Sequence, residues 1–370
     1  MAQKETITTA KFVRVLLAAA LLPAVIVCAL VLIFDPFYHY HGPAFGLRPV
    51  LTEKEYQVVG TLRHFDYDAV LVGSSVVENN DNSWYDALFD CHTIKAVRSY
   101  GGIADLCWLT QEAYAARENK AESIGQIFFN LDPTALIAAP ETTFAASGCP
   151  MYLYDHNPFN DVSYLFNKTV LFEKIPYMLA QNLSGYDPNL SYNWAEGKDF
   201  SQAGVLEHYF RLTEPETMLP ADVFDENVRA NAALLEAIVA AHPETTFRFF
   251  LPPYSVIWWD DAERSGEKEA FLYAQEVVLG ALLTHDNVEV YDFQCDEQIV
   301  SDLNNYMDPI HFTPAINAYM AQAMADAEDD GHRVFADTVT AWTERTGALS
   351  GEWILAYIAP LDEQGLVQYR

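Results

Sequence analysis

Basic residues are scarce in this 370-residue chain, where lysine and arginine number 21 against 52 aspartates and glutamates. The formal net charge is −31, and residues 1–34 carry three basic and one acidic side chain, so residues 35–370 carry −33. This excess argues against a nucleic-acid partner, whose phosphates need basic residues, and it disfavours docking on an anionic lipid surface. By itself the acidity indicates solubility, or salty or acidic surroundings, more than a specific function.

Signatures of cofactor and metal sites are also missing. No Gly-x-Gly-x-x-Gly follows a candidate strand, which excludes a Rossmann-type cofactor binder. The sequence has no Cys-x-x-Cys and no metal-type cluster of Cys and His, so no cofactor or metal is expected. Four cysteines outside the longest apolar run allow three disulfide pairings, and their spacing selects none: Cys91, Cys107, Cys149 and Cys295.

Charge is absent from one long run, VLLAAALLPAVIVCALVLIF at residues 15–34. About twenty apolar residues suffice to cross the roughly 30 Å hydrocarbon core of a bilayer as a helix. The run ends in Ile-Phe-Asp-Pro rather than in the small residues of a cleavage site, which favours an uncleaved signal anchor over a signal peptide. The sequence therefore predicts a transmembrane helix over residues 15–34.

The residues on either side of this helix predict its orientation. Lys4, Lys11 and Arg14 precede it, whereas an aspartate and an aromatic belt follow it. The positive-inside rule then places residues 1–14 in the cytoplasm as a short tail and the rest of the chain outside. We expect a single-pass protein of the cell membrane with an extracytoplasmic carboxyl-terminal domain, attached to the membrane by the anchor alone.

After a connector over residues 35–65, short apolar runs alternate with longer mixed segments. Five runs are typical of buried strands: 69–75, 93–98, 124–131, 245–251 and 288–293. Three intervening segments carry apolar residues at helical spacing: 104–118, 223–241 and 266–284. This alternation predicts an α/β fold, in which helices cover both faces of a parallel sheet.

Two segments depart from this alternation. Residues 134–222, rich in Tyr, Asn, Pro and Phe, form an insertion that either walls a substrate groove or is purely structural. Residues 331–370 form a C-terminal extension with a helical stretch around Val334–Arg345 and an apolar patch at Trp353–Ile358. The aromatic residues of 250–259 fit core packing, or part of a sugar- or acyl-binding wall.

The first predicted strand ends in Gly73, Ser74 and Ser75. One interpretation is a strand-to-helix turn, in which glycine eases the bend and serine caps the next helix. The other is a nucleophile, because ligands of open α/β sheets bind at the carboxyl ends of the strands. A serine hydroxyl needs a neighbouring base, and that base is best oriented by a carboxylate.

A base and a carboxylate occur together in YMDPIHFTP, residues 306–314. Asp308 and His311 are three residues apart, just before a helix predicted to start near Pro314. If the loop folds one turn, Asp308 accepts from one ring nitrogen of His311 while the other nitrogen faces the serine. Taken alone, the same spacing also fits a loop that leads into a helix and carries a surface carboxylate.

Four short blocks occur in the order found in the SGNH/GDSL hydrolase superfamily: Gly73-Ser74-Ser75-Val76, Tyr100-Gly101-Gly102, Asn130-Leu131-Asp132 and Asp308-Pro309-Ile310-His311. Residues 66–330 resemble this superfamily, and in particular its membrane-anchored, extracytoplasmic bacterial branch. That branch includes proteins similar to those acting in D-alanylation of teichoic acids and O-acetylation of exopolysaccharides. The resemblance implies a flavodoxin-like, three-layer α/β/α fold.

The resemblance also implies site residues. It makes Ser75 the nucleophile, His311 the general base and Asp308 the acid that orients it, with the backbone N–H groups of Ser75 and Gly102 as oxyanion-hole donors. The third block usually supplies an asparagine amide as well. Here Leu131 stands at the matching position and Asn130, the remaining candidate donor, precedes it and points to the other face of a strand. A missing donor costs on the order of 3 kcal/mol in the barrier.

The expected chemistry is acyl transfer, by an esterase if water accepts the acyl group and by an O-acyltransferase if a sugar hydroxyl does. The expected partners are an acylated polymer or glycan of the cell envelope and, as a second candidate, a membrane-bound acyltransferase. The alternative is an inactive SGNH-like module that binds an envelope polymer or scaffolds a membrane acyltransferase.

Overall fold

A computed structural model describes residues 8–118, 123–326 and 331–370. Residues 1–7 of the predicted cytoplasmic tail, and 119–122 and 327–330 of the predicted hydrolase-like domain, lie outside the described residues. The α-helices, in chain order, are α1 Thr9–Phe34, α2 Lys54–His64, α3 Asn82–Phe89, α4 Ile103–Ala115, α5 Pro133–Ile137, α6 Val162–Leu165, α7 Ile175–Ser184, α8 Gln202–Glu207, α9 Asp225–Ala241, α10 Val256–Arg264, α11 Lys268–Leu282, α12 Glu297–Val300, α13 Pro314–Ala325, α14 Val339–Trp353 and α15 Ala359–Glu363.

The strands, also in chain order, are β1 Ala69–Gly73, β2 Thr93–Val97, β3 Gln126–Asn130, β4 Phe210–Arg211, β5 Thr246–Leu251, β6 Val288–Asp292, β7 Arg333–Val334 and β8 Gln368–Tyr369. Six of them form the central sheet in the order β2-β1-β3-β5-β6-β7. Every neighbouring pair in it is parallel except β6 and β7, which are antiparallel. A small second sheet pairs β4 with β8.

The chain divides into two compact units. The first, which we call the anchor unit, contains the residues up to His64 together with Pro150–Pro188. The second, the sheet unit, contains Phe65–Cys149 and Asn189–Arg370. The predicted insertion over 134–222 is therefore divided between the two units rather than forming one body.

Helix α1 belongs to the anchor unit and includes all of the predicted span. Within the described residues it is the one helix that is long and apolar enough to cross a membrane. Most of its side chains are exposed to the surroundings, as expected for a helix without a protein core around it. The segment predicted as a connector contains a helix of its own, α2, whose buried face includes Val58, Val59 and Leu62.

The sheet unit confirms the predicted α/β fold with a mostly parallel sheet. All five predicted strands are present, and every residue of β1 and β2 is buried, as expected for strands of a covered parallel sheet. The antiparallel strand β7 and helix α10 were not predicted. Helix α10 begins inside the run of aromatic residues, where strand and helix patterns are hard to separate.

The strand order determines where a ligand can bind. The chain runs from β1 to β2 on one side of β1 and then returns to β3 on its other side. This reversal opens a crevice at the carboxyl ends of β1 and β3, the position where open α/β sheets bind ligands. Gly73 ends β1 and Asn130 ends β3, so two of the four sequence blocks meet at this crevice.

We expect Gly73→Ala to destabilise the fold. A Cβ atom at this position would lie 2.7 Å from Cβ of Asn130 and 3.0 Å from both methyl groups of Val77. Overpacking of this kind costs about 1–3 kcal/mol in unfolding free energy. The melting temperature of the full chain in detergent should therefore fall.

Gly280→Ala is the matched control, because no atom lies within 4 Å of the added Cβ in helix α11. This substitution should raise stability by about 1 kcal/mol through helix propensity. Equal melting temperatures for wild type and Gly73→Ala would contradict the proposed crowding at the end of β1.

Candidate active site

Ser75 begins a single 3-10 turn, Ser75–Val77, directly after β1. Ser74 adopts an extended conformation before this turn, and its side chain makes no capping hydrogen bond to the turn. The strand-to-helix turn of the first interpretation is thus present with Ser74 at its N-cap position, but the predicted capping by a serine side chain is not. The turn leaves Ser75 partly exposed at the carboxyl edge of the sheet, while Ser74 is buried.

The structure brings the three predicted triad residues together. Ser75 Oγ lies 2.7 Å from Nε2 of His311, at hydrogen-bond distance. On the other side of the ring, Nδ1 of His311 lies 2.6 Å from Oδ2 of Asp308. The two contacts use opposite ring nitrogens, so Asp308 can orient the imidazole while Nε2 faces the serine hydroxyl.

The loop from Asp308 to His311 folds one turn around the Asp308 carboxylate. The backbone N–H groups of Ile310 and His311 donate to its Oδ1 at 3.0 and 2.9 Å. Burial acts to raise the pKa of Asp308, but the hydrogen bonds and the charge of His311 outweigh it and lower the pKa below the ordinary value. Asp308 is therefore ionised when it accepts from His311.

Buried polar side chains fix this loop in place. Ser255, at the start of α10, donates through its N–H and its hydroxyl to the carbonyl of Pro309, at 3.1 and 2.7 Å. Asn317, fully buried on α13, donates to the carbonyl of Val76 at 2.8 Å and so connects the helix after His311 to the turn of Ser75. The distance between Ser75 and His311 thus depends on three elements: the 3-10 turn, α10 and α13.

Trp194 is a site residue that the sequence did not reveal. Its indole N–H donates to the carbonyl of Ser75 at 3.0 Å, and its ring meets the ring of His311 edge to face with centroids 5.1 Å apart. Asn79 holds the tryptophan, because its Oδ1 accepts from the N–H groups of Trp194 and Ala195 at 3.0 and 3.1 Å. Trp194 thus contacts both Ser75 and His311.

Lys95, on β2, contacts the segments next to Ser75 and Trp194. Its side chain is fully buried, and Nζ donates to the carbonyls of Glu78, Asn80 and Ser191 at 2.8, 2.6 and 2.6 Å. An ammonium group has three N–H donors, so these carbonyls satisfy it completely. The lysine joins the segment after Ser75 to the segment before Trp194.

A cavity of about 450 Å³ opens beside Ser75. Among the described residues that line it none is basic, while Asp132 and Glu141 are acidic; the full set is Ser74, Ser75, Tyr100, Gly101, Gly102, Asp132, Thr134, Ala135, Ala138, Ala139, Glu141, Thr142, Thr143, Ala146, Tyr254 and Ile310. One wall is fixed by buried Asp105, which accepts from the N–H and the hydroxyl of Thr143, both at 2.6 Å. Small side chains dominate the lining.

Gly102 reaches this cavity at the start of α4. It is the N-cap residue of that helix, where backbone N–H groups and the helix dipole favour negative charge. Tyr100, two residues before Gly102, has a positive φ of 55° and a side chain that is 90% exposed at the cavity. A strained residue beside a ligand cavity is a common feature of functional sites.

Asn130 does not line this cavity, and its predicted role as an oxyanion donor needs correction. The residue is fully buried, and its side-chain nitrogen lies 3.0 and 3.1 Å from the two carboxylate oxygens of Asp132 when the amide is oriented to donate. The physical reason is the buried carboxylate, which needs donors. Of the three predicted oxyanion donors, only Ser75 and Gly102 line the cavity.

Asp132 itself lies at the cavity and carries a network of hydrogen bonds. Ser74, Tyr254 and Asn130 all donate to its carboxylate. Burial raises the pKa of Asp132 above the ordinary value, and these donors and the charge of His311 oppose the shift. The third sequence block therefore contributes an aspartate to the site rather than an amide.

The sequence also raised questions about the cysteines, a metal site and the aromatic residues of 250–259. All five cysteines are unpaired, including the four whose pairing the sequence left open. Within the described ranges no group of three or more His, Cys, Asp or Glu is arranged to hold a metal ion. All four aromatic residues of 250–259 are buried, and of these only Tyr254 lines the cavity.

We expect Trp194 to control the reactivity of Ser75. Trp194→Phe keeps an aromatic ring against His311 but loses the hydrogen bond to the Ser75 carbonyl, a bond worth about 0.5–1.5 kcal/mol. The rate at which a fluorophosphonate labels Ser75 should fall roughly two- to tenfold in Trp194→Phe, and further in Trp194→Ala. Trp342→Phe, on α14, is the matched control and should label at the wild-type rate; unchanged labelling in both Trp194 variants would contradict this role.

Comparison with known proteins does not assign the chain to a family. No protein-family model matches it, and no curated protein is significantly similar to it. Inference about function therefore depends on the geometry of the site and on the resemblance of the four sequence blocks.

Proposed function

We propose that this chain is a membrane-anchored serine esterase or O-acyltransferase of the SGNH/GDSL type. The single observation that carries the proposal is the continuous pair of contacts from Ser75 Oγ to His311 Nε2 at 2.7 Å and from His311 Nδ1 to Asp308 Oδ2 at 2.6 Å. A serine, a histidine and a carboxylate in this geometry are the parts of an acyl-transfer triad, whatever fold carries them.

The chemistry follows from the roles of the three residues. His311 Nε2 takes the proton of Ser75 as Oγ attacks an ester carbonyl, and ionised Asp308 stabilises the imidazolium that forms. His311 then returns the proton to the leaving alcohol, which leaves an acyl group on Ser75. Water as the next attacking group gives hydrolysis, and a sugar hydroxyl gives a new ester.

Stabilisation of the negative charge on the tetrahedral intermediate is assigned to backbone donors. The N–H groups of Ser75 and Gly102 belong to two residues that share the cavity, and Gly102 also stands at the N-terminus of α4. No amide side chain from the third block takes part, because Asn130 is engaged with Asp132.

The strand order supports the SGNH assignment. Counted among the five long parallel strands, the sheet order is 2-1-3-4-5, which is the flavodoxin-like order. The blocks that carry Ser75, Gly102 and Asp132 follow the first, second and third of these strands, as they do in the superfamily that the sequence resembles. We take the three-layer α/β/α arrangement as part of this proposal.

The substrate class is proposed from the cavity and the anchor. A cavity lined by small and acidic residues favours a small uncharged or positively charged acyl group over an anionic one. Helix α1 as a signal anchor would hold the sheet unit outside the cytoplasm. An acylated glycan or polymer of the cell envelope is then the substrate, and a membrane-bound acyltransferase is the candidate partner that supplies the acyl group.

We expect the purified full chain in detergent to hydrolyse p-nitrophenyl acetate and to take up one fluorophosphonate per chain. Ser75→Ala should abolish both, and His311→Gln and Asp308→Asn should lower kcat by roughly 10⁴-fold or more, because the proton of Ser75 loses its acceptor or the imidazole its orientation. Ser184→Ala, at an exposed serine of α7, is the control and should behave as wild type.

The competing hypothesis is an inactive module that binds an envelope polymer, and the engagement of Asn130 with Asp132 is the observation that favours it. Absence of both turnover and labelling in a folded wild-type chain would overturn our proposal and favour the inactive module. Labelling of Ser75 without turnover would instead identify a transferase that needs its acyl acceptor.

A further inference from the structure

The anchor unit exposes large apolar side chains along residues 159–183. Phe159 is 90% exposed, Phe172 72% and Leu183 91%, and Val162 and Phe166 are also exposed. Soluble surfaces tolerate scattered apolar residues, but several large ones along one short segment indicate an interaction site.

In the second half of this segment the exposed apolar residues share one side of a helix. From the helical turn Val170–Lys174 into α7, exposed apolar residues recur at spacings of three and four: Phe172, Pro176, Ala180 and Leu183. The opposite side of the same helix is buried through Ile175 and Met178. Exposed Glu173 and Ser184 lie next to this stripe, so the helix carries an exposed apolar stripe with polar residues beside it, in addition to its buried side. We call Phe159, Val162, Phe166, Phe172 and Leu183 the apolar collar.

The collar adjoins the end of the membrane-spanning helix. Helix α6 and the turn Val170–Lys174 both pack against α1, and Val31, in the last turns of α1, is buried there. The hydroxyl of Tyr164 donates to Oδ1 of Asp35, the residue that caps α1, at 2.7 Å. Val162 and Phe166 stand two residues to either side of Tyr164, so they point away from this contact.

The connection between collar and anchor is built from buried polar contacts. Oδ2 of Asp35 accepts from the backbone N–H groups of Tyr40 and His41, at 2.7 and 3.0 Å. Tyr40 in turn donates to Asp161 at 3.0 Å, immediately before α6. Because Asp35 and Asp161 are buried, this network fixes α6, which carries Val162, at the end of α1.

We propose that the apolar collar lies in the boundary between lipid headgroups and acyl chains of the bilayer that α1 crosses. Its continuity with α1 selects lipid as the occupant, since a surface packed against the end of a membrane span has that membrane beside it. Apolar faces of interfacial helices are buried about 5–10 Å into this boundary. This contact needs no basic residues, so it is compatible with the acidic net charge of the chain. Helix α1 is then not the sole membrane attachment, in contrast to the expectation from the sequence.

The proposal is tested in the full chain reconstituted into vesicles of zwitterionic phospholipid. A solvatochromic fluorescent amino acid is placed at Phe172 or Leu183, with Ser184 as the matched control beside Leu183 and Leu22 as the reference within α1. Phospholipid spin-labelled high on the acyl chain should quench positions 172, 183 and 22 several-fold more than position 184. Aqueous iodide should show the reverse order.

Quenching of position 22 by lipid, but of positions 172 and 183 by iodide as strongly as position 184, would overturn the collar while leaving the anchor intact. Protection of positions 172 and 183 from iodide only in native membranes, and not in pure lipid vesicles, would also overturn it and identify a protein partner on this face. Iodide access to position 22 would show that α1 does not cross the bilayer, and this would overturn the proposal as well. None of these outcomes depends on the activity of Ser75.

A solvatochromic probe at Phe166 should emit at shorter wavelength in vesicles than in water. We expect Phe172→Glu combined with Leu183→Glu to abolish this blue shift, because two charges at the headgroup boundary draw the collar towards water. Ser184→Glu, which adds one negative charge next to the collar but not in it, is the control and should leave the probe emission unchanged. Unfolding of the double variant is checked by the melting temperature of the chain in detergent, where the collar is covered by detergent in both proteins.

Discussion

Gly73 has no Cβ atom, and this allows the end of β3 to pack closely against the end of β1. The position of the candidate nucleophile, Ser75, depends on this contact. Any Cβ here would meet Asn130 and Val77 at 3.0 Å or less. With the two strand ends this close, the chain leaves β1 in a single 3-10 turn that presents Ser75 at the crevice. In the same region the side-chain amide of Asn130 is engaged by the carboxylate of Asp132.

Rigidity of the site comes from buried polar groups that bind backbone carbonyls. Lys95 holds the carbonyls of three residues, Ser255 that of Pro309, and Asn317 that of Val76. A buried donor is costly to leave unpaired, so each of these contacts favours one local arrangement. The serine and the histidine are 236 residues apart in sequence, and their 2.7 Å contact depends on several of these arrangements.

The two units divide the work that we propose for the chain. The sheet unit carries the triad and its cavity, and the anchor unit carries α1 and the apolar collar. The acidic net charge disfavours an electrostatic attachment to anionic lipid, whereas apolar burial in the bilayer does not require basic residues. Membrane attachment and acyl transfer would therefore depend on different physical interactions and can be altered separately.

The sequence by itself determined the features that depend on local pattern. Buried strands, the apolar helix α1 and the turn of Asp308 and His311 all follow from runs and spacings of a few residues. Only the tertiary structure decided the rest. Trp194 and Lys95 contact residues that are distant in the sequence. The amide of Asn130 is bound by the carboxylate of Asp132. The collar is recognisable only once the exposure of each side chain is known. The physical reason is that periodicity reports which face of an element is apolar, whereas the partner of each side chain depends on how separate elements pack.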